Sequence, residues 1–187
     1  MRIKLFPAVA LIFGSLSMFS CIDDEATDDS LIANDKAAIE AYLETDTLVN
    51  VKEFHDEATG LRVIWQELSD SGIEVKASDT LTVDYVGRLL SGKVFDTSIE
   101  DIAKDAGVYN SKRDYEPLKF PIGYGRLIPG FEIGLSKMEE GDKATVIIPS
   151  LYAYGRQGSS DGRIPANTPI LFELDLQKVV EGPRKQQ

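Results

Sequence analysis

Ile170-Leu171-Phe172-Glu173-Leu174-Asp175-Leu176-Gln177 decides the fold class. Ile170, Phe172, Leu174 and Leu176 fall on one side, and Glu173, Asp175 and Gln177 on the other. That period of two belongs to a strand with one face against a core. The same alternation places Leu61, Val63 and Trp65 opposite Arg62, Ile64 and Gln66. It also places Leu81, Val83 and Tyr85 opposite Thr82, Asp84 and Val86. Residues 144–148 and 118–120 read as further strands, with turns at Asp70-Ser71-Gly72 and Leu90-Ser91-Gly92-Lys93.

Between the later strands only one helix is legible. It starts at Pro129, carries Phe131, Leu135 and Met138 on one face, and stops at Gly141. A single helix supplies too few crossovers for a doubly wound parallel sheet. The expectation is an α+β domain, an antiparallel sheet covered by one short helix. Residues 99–115 are charged and poor in large apolar side chains, and read as a surface insertion with a short helix near 99–105. Gly123 and Gly125 mark a bend rather than a phosphate cradle, since no strand–helix pattern surrounds them.

Residues 1–20 begin with Arg2 and Lys4 and continue as a broken apolar run, the pattern of an export signal. Cys21, the only cysteine, follows directly and resembles the lipobox of bacterial lipoproteins, where the cysteine carries the lipid anchor. Residues 21–33 read as an acidic flexible tether, similar to the surface-export signal of Bacteroidetes-type lipoproteins. The expected location is the cell envelope, lipid-anchored at the outer membrane, with surface-facing and periplasm-facing placements both open. Residues 34–58 form a helical extension, with Asn34 as cap and Ile39, Tyr42 and Leu43 on its apolar side. The main domain is expected over 59–181.

The formal charge is −11, and loss of 1–20 would remove two further cations. Nucleic acid is a poor partner for such a surface, because each phosphate contact wants Lys or Arg. One histidine, His55, and no cysteine within the domain argue against a zinc or other transition-metal site. No carboxylate pair is placed by motif for hydrolysis. What stands out is a set of aromatics at strand edges, Tyr85, Phe95, Phe131, Tyr154 and Phe172, with the carboxylate Asp96 beside Phe95. That set suits a slow conformational reaction of an apolar substrate in a dry pocket, with no cofactor.

Several stretches resemble a known family: Val83-Asp84-Tyr85-Val86-Gly87-Arg88-Leu89, Gly92-Lys93-Val94-Phe95-Asp96-Thr97-Ser98, Leu127-Ile128-Pro129-Gly130-Phe131, Gly141-Asp142-Lys143-Ala144, Tyr152-Ala153-Tyr154-Gly155 and Ile164-Pro165-Ala166-Asn167-Thr168-Pro169-Ile170-Leu171-Phe172. Their order and spacing are similar to those of FK506-binding (FKBP) type peptidyl-prolyl cis-trans isomerases. The resemblance implies a curved antiparallel sheet of roughly five or six strands wrapped around one short helix. It implies a pocket with Phe131 as floor, where many members carry tryptophan. Tyr85, Phe95, Asp96, Leu127, Ile128, Tyr154, Ile164 and Phe172 are its walls, with Leu118 at the rim.

It further implies that the Ile128 N–H and the Tyr154 hydroxyl contact substrate. Asp96 either orients Tyr85 or meets the twisted carbonyl. The implied substrates are proline-containing polypeptides, here exported ones, with the membrane reached only through Cys21. A non-catalytic chaperone module using the same groove is the alternative, and the oligomeric state is open.

Overall fold

The computed structural model describes residues 27–183. The export signal, Cys21 and the first part of the tether lie outside the described residues. The described residues contain three helices, α1 (Asp28–Thr45), α2 (Glu100–Asp105) and α3 (Pro129–Leu135), with a 3-10 turn at Ser150–Tyr152. The strands are β1 (Lys52–His55), β2 (Arg62–Glu67), β3 (Thr80–Leu89), β4 (Val94–Thr97), β5 (Leu118–Pro121), β6 (Lys143–Ile148) and β7 (Ile170–Val180). They form one sheet in the order β1-β2-β6-β7-β3-β4, and β5 also pairs with β3. Every pairing is antiparallel, so the expected α+β class is found.

The sheet has seven strands rather than five or six. The additional strand is β1, from a segment assigned to the helical extension, with His55 at its end instead of in a loop. It forms because β2 would otherwise leave a row of backbone groups unpaired at the sheet edge.

A second correction concerns α1, which begins six residues before the expected cap Asn34, so residues 28–33 of the supposed tether are helical. Thr27 is the cap, accepting the Ser30 N–H at 3.2 Å. Asp28 and Asp29 lie in the first turn, where the positive end of the helix favours acids.

Alternation along the strands gives the sheet two apolar faces. Val63, Trp65, Leu81, Val83, Val146, Ile148, Ile170 and Leu176 share one buried cluster with Phe131 and Leu135 of α3. On the other face Ile64, Ile147 and Leu171 pack with Ile39 of α1 in a second cluster. Helix α3 crosses β6 with little clearance. A Cβ on Gly130 would stand 2.2 Å from Ile148, and one on Gly134 would stand 2.6 Å from Val146. This close approach brings Phe131 down onto the sheet.

Trp65 is 1% exposed, and its indole needs a buried acceptor. Asp142, 2% exposed, supplies it at 2.9 Å. The same carboxylate accepts from the Ser69 N–H at 2.9 Å, the Ser69 hydroxyl at 3.0 Å and the Glu139 N–H at 2.9 Å. Truncation would orphan all of these donors at once. Asp142→Ala is therefore expected to lower unfolding free energy in urea by about 3 kcal/mol, and Asp142→Asn by less. A loss under about 1 kcal/mol for the alanine variant would contradict this role.

Candidate functional site

The outer edge of β3 changes partner midway. Thr80–Val83 pair with β5, and Val86–Arg88 pair with β4. Asp84 and Tyr85 stand in the gap, and the chain leaving β4 satisfies the Tyr85 backbone and the Asp84 carboxylate. The Ser98 hydroxyl accepts the Tyr85 N–H at 2.9 Å and donates to Asp84 at 2.6 Å. The Tyr85 carbonyl accepts from the Thr97 hydroxyl at 2.8 Å and the Ser98 N–H at 3.1 Å. Tyr85 is thereby fixed while the sheet opens beside it.

Behind that gap lies a cavity of about 120 Å³, lined by Tyr85, Phe95, Asp96, Leu118, Leu127, Ile128, Phe131, Tyr154 and Phe172. Of the residues expected from sequence, Ile164 alone of the pocket set does not line it. Ile164 is 2% exposed within the main core cluster. Its N–H donates to the Ser159 hydroxyl at 2.9 Å, which ties the preceding loop together. Its side chain is thus part of the core packing and not of the cavity lining. Cys21 lies outside the described residues.

The aromatic rings meet edge to face. Phe131 and Phe172 are 4.9 Å apart at 87°, Phe95 and Phe172 5.5 Å apart at 89°, and Tyr85 and Phe131 6.1 Å apart at 88°. Such contacts hold each ring by the quadrupole of the next as well as by burial. Gly87 makes room for them: a Cβ there would come within 2.6 Å of Phe95 and 2.8 Å of Phe172.

One wall is polar. The Tyr85 hydroxyl donates to Asp96 at 2.6 Å, and Arg113 donates to the Tyr85 oxygen at 2.9 Å while pairing with the other Asp96 oxygen. Arg113 was not anticipated; it comes from the insertion. Two stacked rings, with a cation against each, carry it there. The Lys104 ammonium lies 5.4 Å from the Tyr109 ring, Tyr109 stacks on Tyr115 at 5.5 Å, and the Arg113 guanidinium lies 5.1 Å from Tyr115. The Asn110 N–H donates to the Tyr115 hydroxyl at 2.9 Å and closes the loop. The insertion thus braces two residues of the pocket wall, Tyr85 and Asp96.

Burial, then the bond to Asp96 and its charge, push the Tyr85 phenol well above its ordinary value. Arg113 is raised as well: burial alone would lower it, but its bonds to Tyr85 and Asp96 outweigh that. Tyr154, 37% exposed, is raised by burial and by the charges of Asp96 and Asp161. Both phenols are therefore neutral donors near neutrality. Among the described residues, no group bonds the Tyr154 hydroxyl, and no acceptor takes the Ile128 N–H at the start of α3. On the opposite side of the mouth Arg163 donates to the Phe95 carbonyl at 3.1 Å.

This site offers a small apolar cavity, two unengaged donors and a carboxylate engaged at both oxygens. Because folding raises the Tyr85 pKa, its contribution to stability is complete below the unfolded value of 10.0 and fades only as pH climbs through the folded one. In an alkaline absorbance titration, the difference between wild type and Tyr85→Phe should isolate a phenol titrating above 10.0. A difference centred at or below that value would contradict the arrangement.

Comparison with known proteins locates this architecture. The sequence profile described as FKBP-type peptidyl-prolyl cis-trans isomerase matches residues 72–177. A short-type peptidyl-prolyl cis-trans isomerase of Methanocaldococcus jannaschii is 46% identical over 81 residues, covering 43% of this chain and 51% of that protein. FK506-binding protein 1 of Saccharomyces cerevisiae is 36% identical over 104 residues, covering 56% of this chain and 79% of that protein. The crystal structure of a peptidyl-prolyl cis-trans isomerase from Pseudomonas syringae pv. tomato superposes with a TM-score of 0.58 at 26% identity, covering 84% of this chain and 98% of that one. The chain thus spans about half the length of the archaeal relative.

Proposed function

Because this chain belongs to the FKBP-type peptidyl-prolyl cis-trans isomerase family, we propose that it accelerates rotation about X-Pro bonds in polypeptides through the aromatic cavity. The observation that carries this reading is a roughly ring-sized apolar cavity with two free donors at its wall. Its volume is about 120 Å³, and an apolar cavity of roughly 150 Å³ already accepts a benzene-sized guest. A pyrrolidine ring is smaller than benzene.

The X-Pro amide crosses a barrier of about 18–20 kcal/mol because rotation destroys its resonance. In the rotated state the carbonyl is less polar, so an environment poor in water disfavours it less than the planar state. Phe131, Phe95, Tyr85, Leu127 and Phe172 hold the proline ring. The Ile128 N–H and the Tyr154 hydroxyl orient the neighbouring carbonyls. Asp96, engaged by Tyr85 and Arg113, acts by setting the Tyr85 ring. Only a contact stronger in the rotated state raises the rate, and a thousandfold effect requires about 4 kcal/mol.

The substrates are exported chains. Residues 1–20 direct export, and Cys21 receives a lipid that holds the protein at the outer membrane of the cell envelope. This part of the reading is supported by the apolar run before Cys21 and the acidic residues after it, a pattern similar to Bacteroidetes-type lipoproteins. Among the described residues no helix is long and apolar enough to cross a membrane.

The full chain is expected to speed cis-to-trans conversion of an Ala-Leu-Pro-Phe peptide in a protease-coupled assay. Phe131→Leu should lower kcat/KM by about tenfold or more, and Arg113→Met by about threefold. Rates equal to buffer on several X-Pro sequences would end the isomerase reading. For the anchor, bacterial expression with labelled palmitate should mark wild type but not Cys21→Ala, and equal labelling of both would refute it.

A further inference from the structure

Helix α1 lies wholly outside the family-matched range of 72–177, yet it bonds to Ser150 at the start of the turn that leads to Tyr154. Its Asp35 is 3% exposed, and among the described residues no Lys, Arg or His pairs with it. One oxygen, Oδ2, accepts both the Ser150 N–H at 2.7 Å and the Ser150 hydroxyl at 2.6 Å. A buried carboxylate is costly unless hydrogen bonds to its charged form offset the lost hydration. Asp35 lies between Leu31 and Ile39 on the buried face of α1, and the hydrogen bonds that offset its burial come from Ser150.

Ser150 opens the turn that bears Tyr154. Its carbonyl accepts the Ala153 N–H at 2.9 Å and the Gly155 N–H at 2.8 Å, bracketing Tyr154 on both sides. The Gly155 carbonyl in turn accepts the Asn167 N–H at 2.9 Å. The turn also presses on α3, since a Cβ on Gly130 would come within 3.1 Å of the Tyr152 carbonyl. Asp35, Ser150 and Tyr154 therefore form a continuous path from the second face of the sheet to the pocket wall. A second link, Arg156 to Asp28 at 2.7 Å, joins the same loop to the start of α1 but is largely exposed and screened.

We propose that α1 is part of the substrate-binding apparatus, with Asp35 a positioning residue that sets the Tyr154 turn through Ser150. Its kinetic consequence rests on the isomerase reading, and its structural consequence does not. The test compares full-length wild type, Asp35→Ala, Asp35→Asn and Ile39→Val by isomerisation of the Ala-Leu-Pro-Phe peptide and by hydrogen exchange of the Gly155 amide.

Asp35→Ala should raise Gly155 exchange about tenfold or more and lower kcat/KM by roughly three- to tenfold, chiefly through KM. Asp35→Asn, whose amide oxygen accepts both Ser150 donors, should restore most of the loss. Ile39→Val loosens the same helix without touching Ser150 and should change neither readout. If Asp35→Ala does not fold, Ser150→Ala takes its place: it removes the hydroxyl donor and keeps the N–H, so both readouts should move in the same direction by a smaller factor, about threefold for Gly155 exchange. Unchanged Gly155 exchange, wild-type kcat/KM in an active enzyme, or an equal effect of Ile39→Val would overturn the proposal. An inactive wild type whose Gly155 exchange still responds to Asp35→Ala would remove the isomerase reading while supporting the positioning role.

Discussion

The backbone of Tyr85 is the constraint on which the site depends. A strand that trades one neighbour for another leaves N–H and C=O groups facing no ladder, and buried groups of that kind must find partners. Thr97 and Ser98 meet the need in this chain, so β4 and β5 can separate without unravelling β3. The separation opens the cavity, and the same residue that required the repair projects its ring into it. Asp96, immediately before Thr97, is carried to the Tyr85 hydroxyl by the same geometry. The polar wall is thus a consequence of how the sheet edge is closed.

The opposite wall depends on close packing. Two glycines let α3 settle onto β6, and Gly87 lets Phe95 and Phe172 meet. With the rings at near right angles, each presents an edge to its neighbour and leaves a concavity instead of filling it. The apolar surface stays open because rotating any one ring would break its contacts with the others. Among the residues lining the cavity, Asp96 carries the charge, and Arg113 pairs with it.

Much of this was legible in the sequence because period-two alternation is a strong signal where one face is buried. Residues 170–177, 81–86 and 61–66 all emerged as strands, and the residues lining the cavity fall within the family-like motifs except Leu118, which was expected at the rim. Other features had no local signal. Lys52–His55 contains one apolar residue among polar ones, and it is a strand only because β2 offers an edge. The start of α1 was obscured by the acidic stretch that includes Asp28 and Asp29, which reads as a solvated tether and lies in the first turn of the helix. Arg113 could not be found from spacing, since its partners Tyr85 and Asp96 are distant in sequence and Tyr109 and Tyr115 share no helical period. Ile164 illustrates the converse: its motif position suggested the pocket, but packing places it one layer behind.

The account holds that desolvation and shape, with no proton transfer, lower the barrier. The pH dependence of kcat/KM on an X-Pro peptide, run in parallel in H2O and D2O, tests this most directly. The phenols of Tyr85 and Tyr154 are both held above their ordinary range. The account therefore predicts a flat profile from about pH 6 to 9 and a solvent isotope effect of about one. A bell-shaped profile in that window, or a rate falling about twofold or more in D2O, would show acid–base chemistry and contradict it.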